Sequence, residues 1–261
     1  MRVPIVLSIV AALLPAVLVA PDESLPVAAY VEAGAPASDR EWTADDYERF
    51  SKILPGIAGK NPRQLPRFDS ARSGPLMKRL VSEENFAVLH DRNLPLDARI
   101  GQVVALNQSS AAILAQYVDA TNKGESFDRE LIELTIFITK VNIETWTAVD
   151  ELLATLTPED REARAGGLAQ MRSGSAQIVS GALTSFGETN VYRSSELRRL
   201  AVALKKLLPV VLPRLSGESA AEAIVHLRSV VTETSDEQVA APLRELLQTL
   251  ESQKRVSKPA A

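Results

Sequence analysis

The chain contains no cysteine and only two histidines, and aromatic residues make up 5% of its 261 positions. Without a thiol there can be no disulfide, no Cys-ligated zinc and no lipid joined to a cysteine behind an N-terminal signal. Basic residues are also in short supply. Lys and Arg number 29 against 33 Asp and Glu, a net charge of −4, which argues against a broad nucleic-acid-binding surface. Asn-Gly and Asp-Gly are missing throughout, so the usual signature of a tight β-hairpin is absent. Nine of the fifteen prolines fall in the first 75 residues, and none lies between Pro95 and Pro158 or between Pro158 and Pro209. The front of the chain is therefore punctuated, and the middle is free to form long helices. An apolar content of 46% and a mean hydropathy of +0.00 describe a soluble globular protein with a real core.

The N-terminus reads as an address. Arg2 precedes an apolar run from Val3 to Ala20, which Asp22 and Glu23 end. A short positive segment followed by an apolar one is the pattern of a secretory signal, here residues 1–20 with cleavage expected between 20 and 29. The rival is an N-terminal membrane anchor, for which the run is at the lower limit of length and contains Pro4 and Pro15. Export without cysteine favours a bacterial periplasmic or secreted setting. Residues 21–41 read as a flexible linker rich in Ala, Pro and acidic residues, and the end from Ser257 as a frayed tail.

From Trp42 onward the signals are helical. Thr43 is placed to cap a first helix over 44–54, with Trp42 and Tyr47 as a hydrophobic staple. A second stretch, 74–91, has a possible break and second cap at Ser82. A third helix runs from Leu96 to about Thr121 and stops at Gly124. A fourth runs from Ser126 to Leu156. Its segment Leu134–Ile143 is dense in β-branched residues, but Glu133, Lys140, Glu144 and Glu151 share one helical sector, which predicts a buried helix with a narrow wet strip. Thr157-Pro158-Glu159-Asp160 opens a fifth helix reaching Phe186. A sixth starts at Ser194 or Ser195 and is disturbed at Pro209 and Pro213, and a seventh covers Ser216–Val231. Ser235 and Gln238 form a capping box for an eighth, expected to kink at Pro242. The fold class expected is all-α, a multi-helix bundle of mostly antiparallel hairpins, with about seven or eight helices in one domain over 42–256. Its core hairpins are drawn at 95–156 and 157–215. Short similarities at an offset of 65 or 66, such as Arg99-x-Gly101 and Arg164-x-Gly166, hint at a duplicated hairpin.

Two constellations stand out. Asn107 lies on an apolar face of the third helix and Asn142 on the apolar side of the fourth, at matching distances from the turn at Gly124. With Ser110 and Ser175 they form a candidate polar layer, either a hydrogen-bonded register device or the lining of a ligand cavity. Gly167, Gly174 and Gly181 recur every seven residues, which suggests a close-packing stripe or a groove. The histidines point to no metal site. His226 and Glu222 read as an exposed helical pair, and His90 as a helix-end residue. Arg193, Arg198, Arg199, Lys205 and Lys206 read as a solvated basic face. No Glu-x-x-His, Gly-x-Ser-x-Gly, Ser-x-x-Lys, P-loop or dinucleotide pattern occurs.

The expectation is therefore an exported helical-bundle binding or interaction module of the bacterial envelope, without catalytic, metal or cofactor residues. Its partner would be a protein or small molecule of the envelope, not nucleic acid, with a membrane involved only if the N-terminal segment is retained. The alternative is an envelope-acting enzyme using a carboxylate in an interhelical cleft.

Overall fold

The computed structural model describes residues 40–256 apart from 72 and 190. The expected signal over 1–20, all but the end of the linker over 21–41, and the tail from Ser257 lie outside the described residues. Within the described residues there is no strand, and packed helices form an all-α bundle, as the sequence leads one to expect. The helices cluster into two compact units that divide between Thr155 and Leu156. That division falls where the two expected hairpins adjoin, inside the stretch that sequence alone treats as one domain.

The first unit contains α1 (Ala44–Lys60), α2 (Gly74–Leu80), α3 (Ala87–His90), α4 (Leu96–Asn122) and α5 (Asp128–Thr155). Thr43 caps α1 with the full reciprocal box: its hydroxyl accepts from the Asp46 N–H, and Asp46 accepts from the Thr43 N–H at 2.9 Å. Trp42 meets Tyr47 edge-on at 5.3 Å, which is the staple the sequence suggested. The helix does not end before Pro55, as its sequence suggests, but runs on to Lys60. Pro55 sits on the exposed side, while Ile57 and Ala58 beyond it are buried, and their burial offsets the lost backbone hydrogen bond. The break at Ser82 is present, with the serine hydroxyl accepting from the Glu84 N–H.

Helices α4 and α5 form an antiparallel pair and α1 packs on α4. The turn is closed by Gly124 at φ +96°, a conformation glycine adopts without strain. The Glu125 N–H reaches the Ala120 carbonyl at 3.2 Å and the Gly124 N–H reaches Thr121 at 2.9 Å, the Schellman pattern. The β-branched segment of α5 is helical, and Leu134, Ile136, Phe137, Ile138, Thr139 and Val141 are all buried. Phe137 stacks on Tyr47 and on Phe86, so the aromatic core joins α1, α5 and the 3₁₀ turn Glu83–Phe86.

The second unit contains α6 (Pro158–Ala163), α7 (Ala165–Thr184), α8 (Ser194–Val211), α9 (Gly217–Glu233) and α10 (Glu237–Val256). Its core is aliphatic, built on Leu183, Leu200, Leu204, Leu208, Leu243 and Leu246. The expected single fifth helix breaks at Arg164. Residues 158–167 are all exposed, so no buried side chain offsets the cost of Gly166 and Gly167 there. The cap of α10 is Asp236 rather than Ser235: the aspartate accepts from the Gln238 N–H at 2.9 Å.

The expected hairpin 157–215 is not the principal pairing. Instead α7 packs mainly on α9, α9 on α10, and α10 on α8. Arg198 reaches Gln238 and Lys205 reaches Glu245, both 40 residues apart, so α8 and α10 run parallel. Arg198 and Lys205 thus reach across to α10 while staying exposed, as a solvated basic face would have it. Within the described residues, no helix is long and apolar enough to cross a membrane.

Candidate functional site

The charged strip of α5 is where the preceding segment docks. Lys140 binds Glu83 at 2.6 Å, His90 Nε2 lies 3.2 Å from Glu144, and Glu151 takes both Arg92 at 2.8 Å and Arg99 at 2.7 Å. Burial raises the Glu144 carboxyl above its ordinary range, with Glu83 adding to the effect and His90 opposing it. The hydrogen bond from Arg99 holds Glu151 below the ordinary range. These pairs fasten residues 83–99 along α5. His90 is therefore more than a helix-end charge, because it belongs to this clasp.

Of the candidate polar layer, Asn107, Ser110 and Asn142 lie in the first unit and Ser175 in the second. Arg99, eight residues before Asn107, pairs with Glu151, nine residues after Asn142, so the register of the hairpin sets the two asparagines level. Asn142 is buried, and Asn107 is half-buried with a buried Oδ1 that has no hydrogen-bond partner. Ser110, one turn on, is 1% exposed, and its hydroxyl is also unpartnered. Ser175 belongs to the second unit, where its hydroxyl back-bonds to the Met171 carbonyl at 3.0 Å. Of the glycine stripe, Gly174 and Gly181 are buried, but Gly167 is exposed and a Cβ there would meet nothing within 4 Å. Close packing is open to the first two and not to the third.

A different face of α7 carries the concavity. A cavity of about 410 Å³ opens between α7 and α9, lined by Ala169, Arg172, Ser173, Ala176, Gln177 and Ser180 from one and Ser216, Ser219 and Glu222 from the other. On α7, Ala169, Ser173, Ala176 and Ser180 recur at spacings of four, three and four, one helical stripe of small side chains. On α9, Ser216, Ser219 and Glu222 recur every three. Both helices bury only their later parts, Gly174 to Leu183 on α7, and Leu227 and Val230 on α9. Small side chains on the facing stripes leave the space that becomes the groove, which on α7 runs past the unburied start of the helix to Ser180.

Its polar groups are poorly satisfied. The Gln177 Oε1 is buried and accepts no hydrogen bond. An orphaned buried acceptor costs about 1–3 kcal/mol. Ser216 donates to Ser219 at 2.9 Å and accepts its N–H at 3.1 Å, capping α9 at the rim. Arg172 and Glu222 bring opposite charges to the lining with no ion pair to each other among the described residues. Glu222 is exposed, and it shares the lining with serines, alanines, Arg172 and Gln177. His226, one turn along α9, is held below its ordinary pKa by burial, with Glu233 opposing.

Sequence reasoning missed this groove. It singled out the glycines on a neighbouring face and met Glu222 only as a partner for His226. The alanine–serine stripe was the signal that could have found it. No group of three or more potential metal ligands occurs among the described residues. No protein-family model, curated protein or solved structure matches the chain.

Proposed function

We propose that the chain is an exported binding module of the bacterial cell envelope, taking a small polar ligand in the α7–α9 groove and performing no chemistry on it. The observation that carries the reading is the groove itself: about 410 Å³, within the range of ligand sites, with opposite charges in its lining. The export half rests on Arg2 and the apolar run to Ala20.

A thermal-shift screen of the exported protein against amino acids, short peptides, sugars and nucleosides tests the binding half. At least one class is expected to raise the melting temperature of the native protein and not that of Ala176→Trp, whose indole fills the groove. No stabilising class, or equal stabilisation of both proteins, contradicts it, and turnover of the ligand would contradict the absence of chemistry. N-terminal sequencing of envelope-derived protein tests export. Cleavage between residues 20 and 29 is expected, and an intact Met1 would contradict it.

A further inference from the structure

We propose that the ligand of the α7–α9 groove is a small zwitterion, with an ammonium and a carboxylate in one molecule, as in a free amino acid or a short peptide. The inference rests on the reading of the groove as a binding site and adds the chemistry of what fills it. Three side chains set that chemistry. Arg172 offers only donors and a fixed positive charge, so it calls for an anion, and its planar fork suits a carboxylate. Glu222, from the other helix, offers only acceptors and a negative charge, so it calls for a cation. Gln177 adds an amide to the same lining, able to donate or to accept.

A simple anion would satisfy Arg172 but repel Glu222. A simple cation would leave Arg172 unanswered. A neutral sugar could donate to Gln177 but would pair neither charge. Because Arg172 and Glu222 are not joined to each other, both charges remain available. The surrounding alanines and serines leave room for a short side chain or a second residue.

The test is isothermal titration of the exported protein with the twenty free amino acids and with a set of two- and three-residue peptides. Each active compound is then compared with its N-acetylated and C-amidated forms. The amino acids and the peptides are separate arms that distinguish the two sources of the same chemistry. At least one zwitterion is expected to bind, and blocking either end to weaken it about tenfold or more, the effect of one charge-assisted contact.

The variants are expected to match the blocks. Arg172→Ala weakens the parent but not the C-amidated form, and Glu222→Gln weakens the parent but not the N-acetylated form. Circular dichroism confirms that both variants stay folded. Blocked compounds that bind as well as their parents would overturn the zwitterion. If other ligands bind the native protein but not Ala176→Trp, while no zwitterion binds, this inference fails and the groove reading stands. If nothing binds, both fail.

Discussion

Replacing Asn85 by alanine should loosen the first unit. Asn85 is 2% exposed and ties three segments together. Its Oδ1 accepts the Trp42 N–H at 2.8 Å, and its Nδ2 donates to the Tyr47 hydroxyl at 2.7 Å and to the Arg79 carbonyl at 2.8 Å. The losses are unequal. The Arg79 carbonyl keeps the Ser82 N–H at 3.1 Å, and the Tyr47 hydroxyl still donates to Leu80. The Trp42 N–H loses the acceptor Asn85 gives it, beside a fully buried indole. One orphaned buried donor plus two lost bonds costs about 2–4 kcal/mol.

For a unit of this size, that lowers the melting temperature by about 10 °C. The chain has two tryptophans, Trp42 and Trp146, and both are buried in the first unit, so urea unfolding followed by tryptophan fluorescence reads that unit. Tyr47→Phe is the comparison. It removes one hydroxyl but leaves the Trp42 backbone N–H satisfied, and should cost about 1 kcal/mol. An Asn85→Ala loss below 1 kcal/mol, or one no larger than that of Tyr47→Phe, would refute the reasoning.

Three other outcomes follow from local geometry. Gly74→Ala should destabilise the first unit, because its Cβ would lie 2.6 Å from the Phe68 carbonyl oxygen, a backbone atom that cannot swing away; chemical denaturation reads the loss. Gly101→Ala, in α4 with nothing within 4 Å, should instead stabilise by about 0.5–1 kcal/mol in the same assay. Burial pushes the Asp46 carboxyl up, but Arg40 and Thr43 outweigh it and hold it below its ordinary value of 3.8. The unfolded chain then binds that proton more readily, so the stabilisation is full above pH 3.8 and is lost as pH falls through the folded value. Acid titration of Asp46→Asn should therefore show a shallower loss of stability over that range than the native protein.

Much of the fold was legible because its signals are local. The Thr43 box, the Trp42–Tyr47 staple and the glycine stop at Gly124 each need only a few neighbouring residues, and all three are present. The β-branched stretch of α5 was legible for another reason. Its charges shared a helical sector, and burial overrode propensity. What escaped depends on tertiary partners. Pro55 would end an isolated helix, but the buried Ile57 carries α1 past it. The charges on α5 look solvated in sequence because Glu83, His90, Arg92 and Arg99 reach them only after the chain has folded back. The parallel pairing of α8 and α10 lies 40 residues apart and leaves no local trace. The groove escaped because serine and alanine are ordinary helix-surface residues. They become a site only when a second row, Ser216, Ser219 and Glu222, faces them.

Whether the α7–α9 groove binds a ligand can be read residue by residue. Backbone amide spectra of the ¹⁵N-labelled protein would be recorded before and after adding pooled amino acids, short peptides and sugars. Shifts concentrated on residues 169–180 of α7 and 216–222 of α9 are the result predicted. Shifts confined to α4 and α5, or none at saturating concentrations, would contradict it.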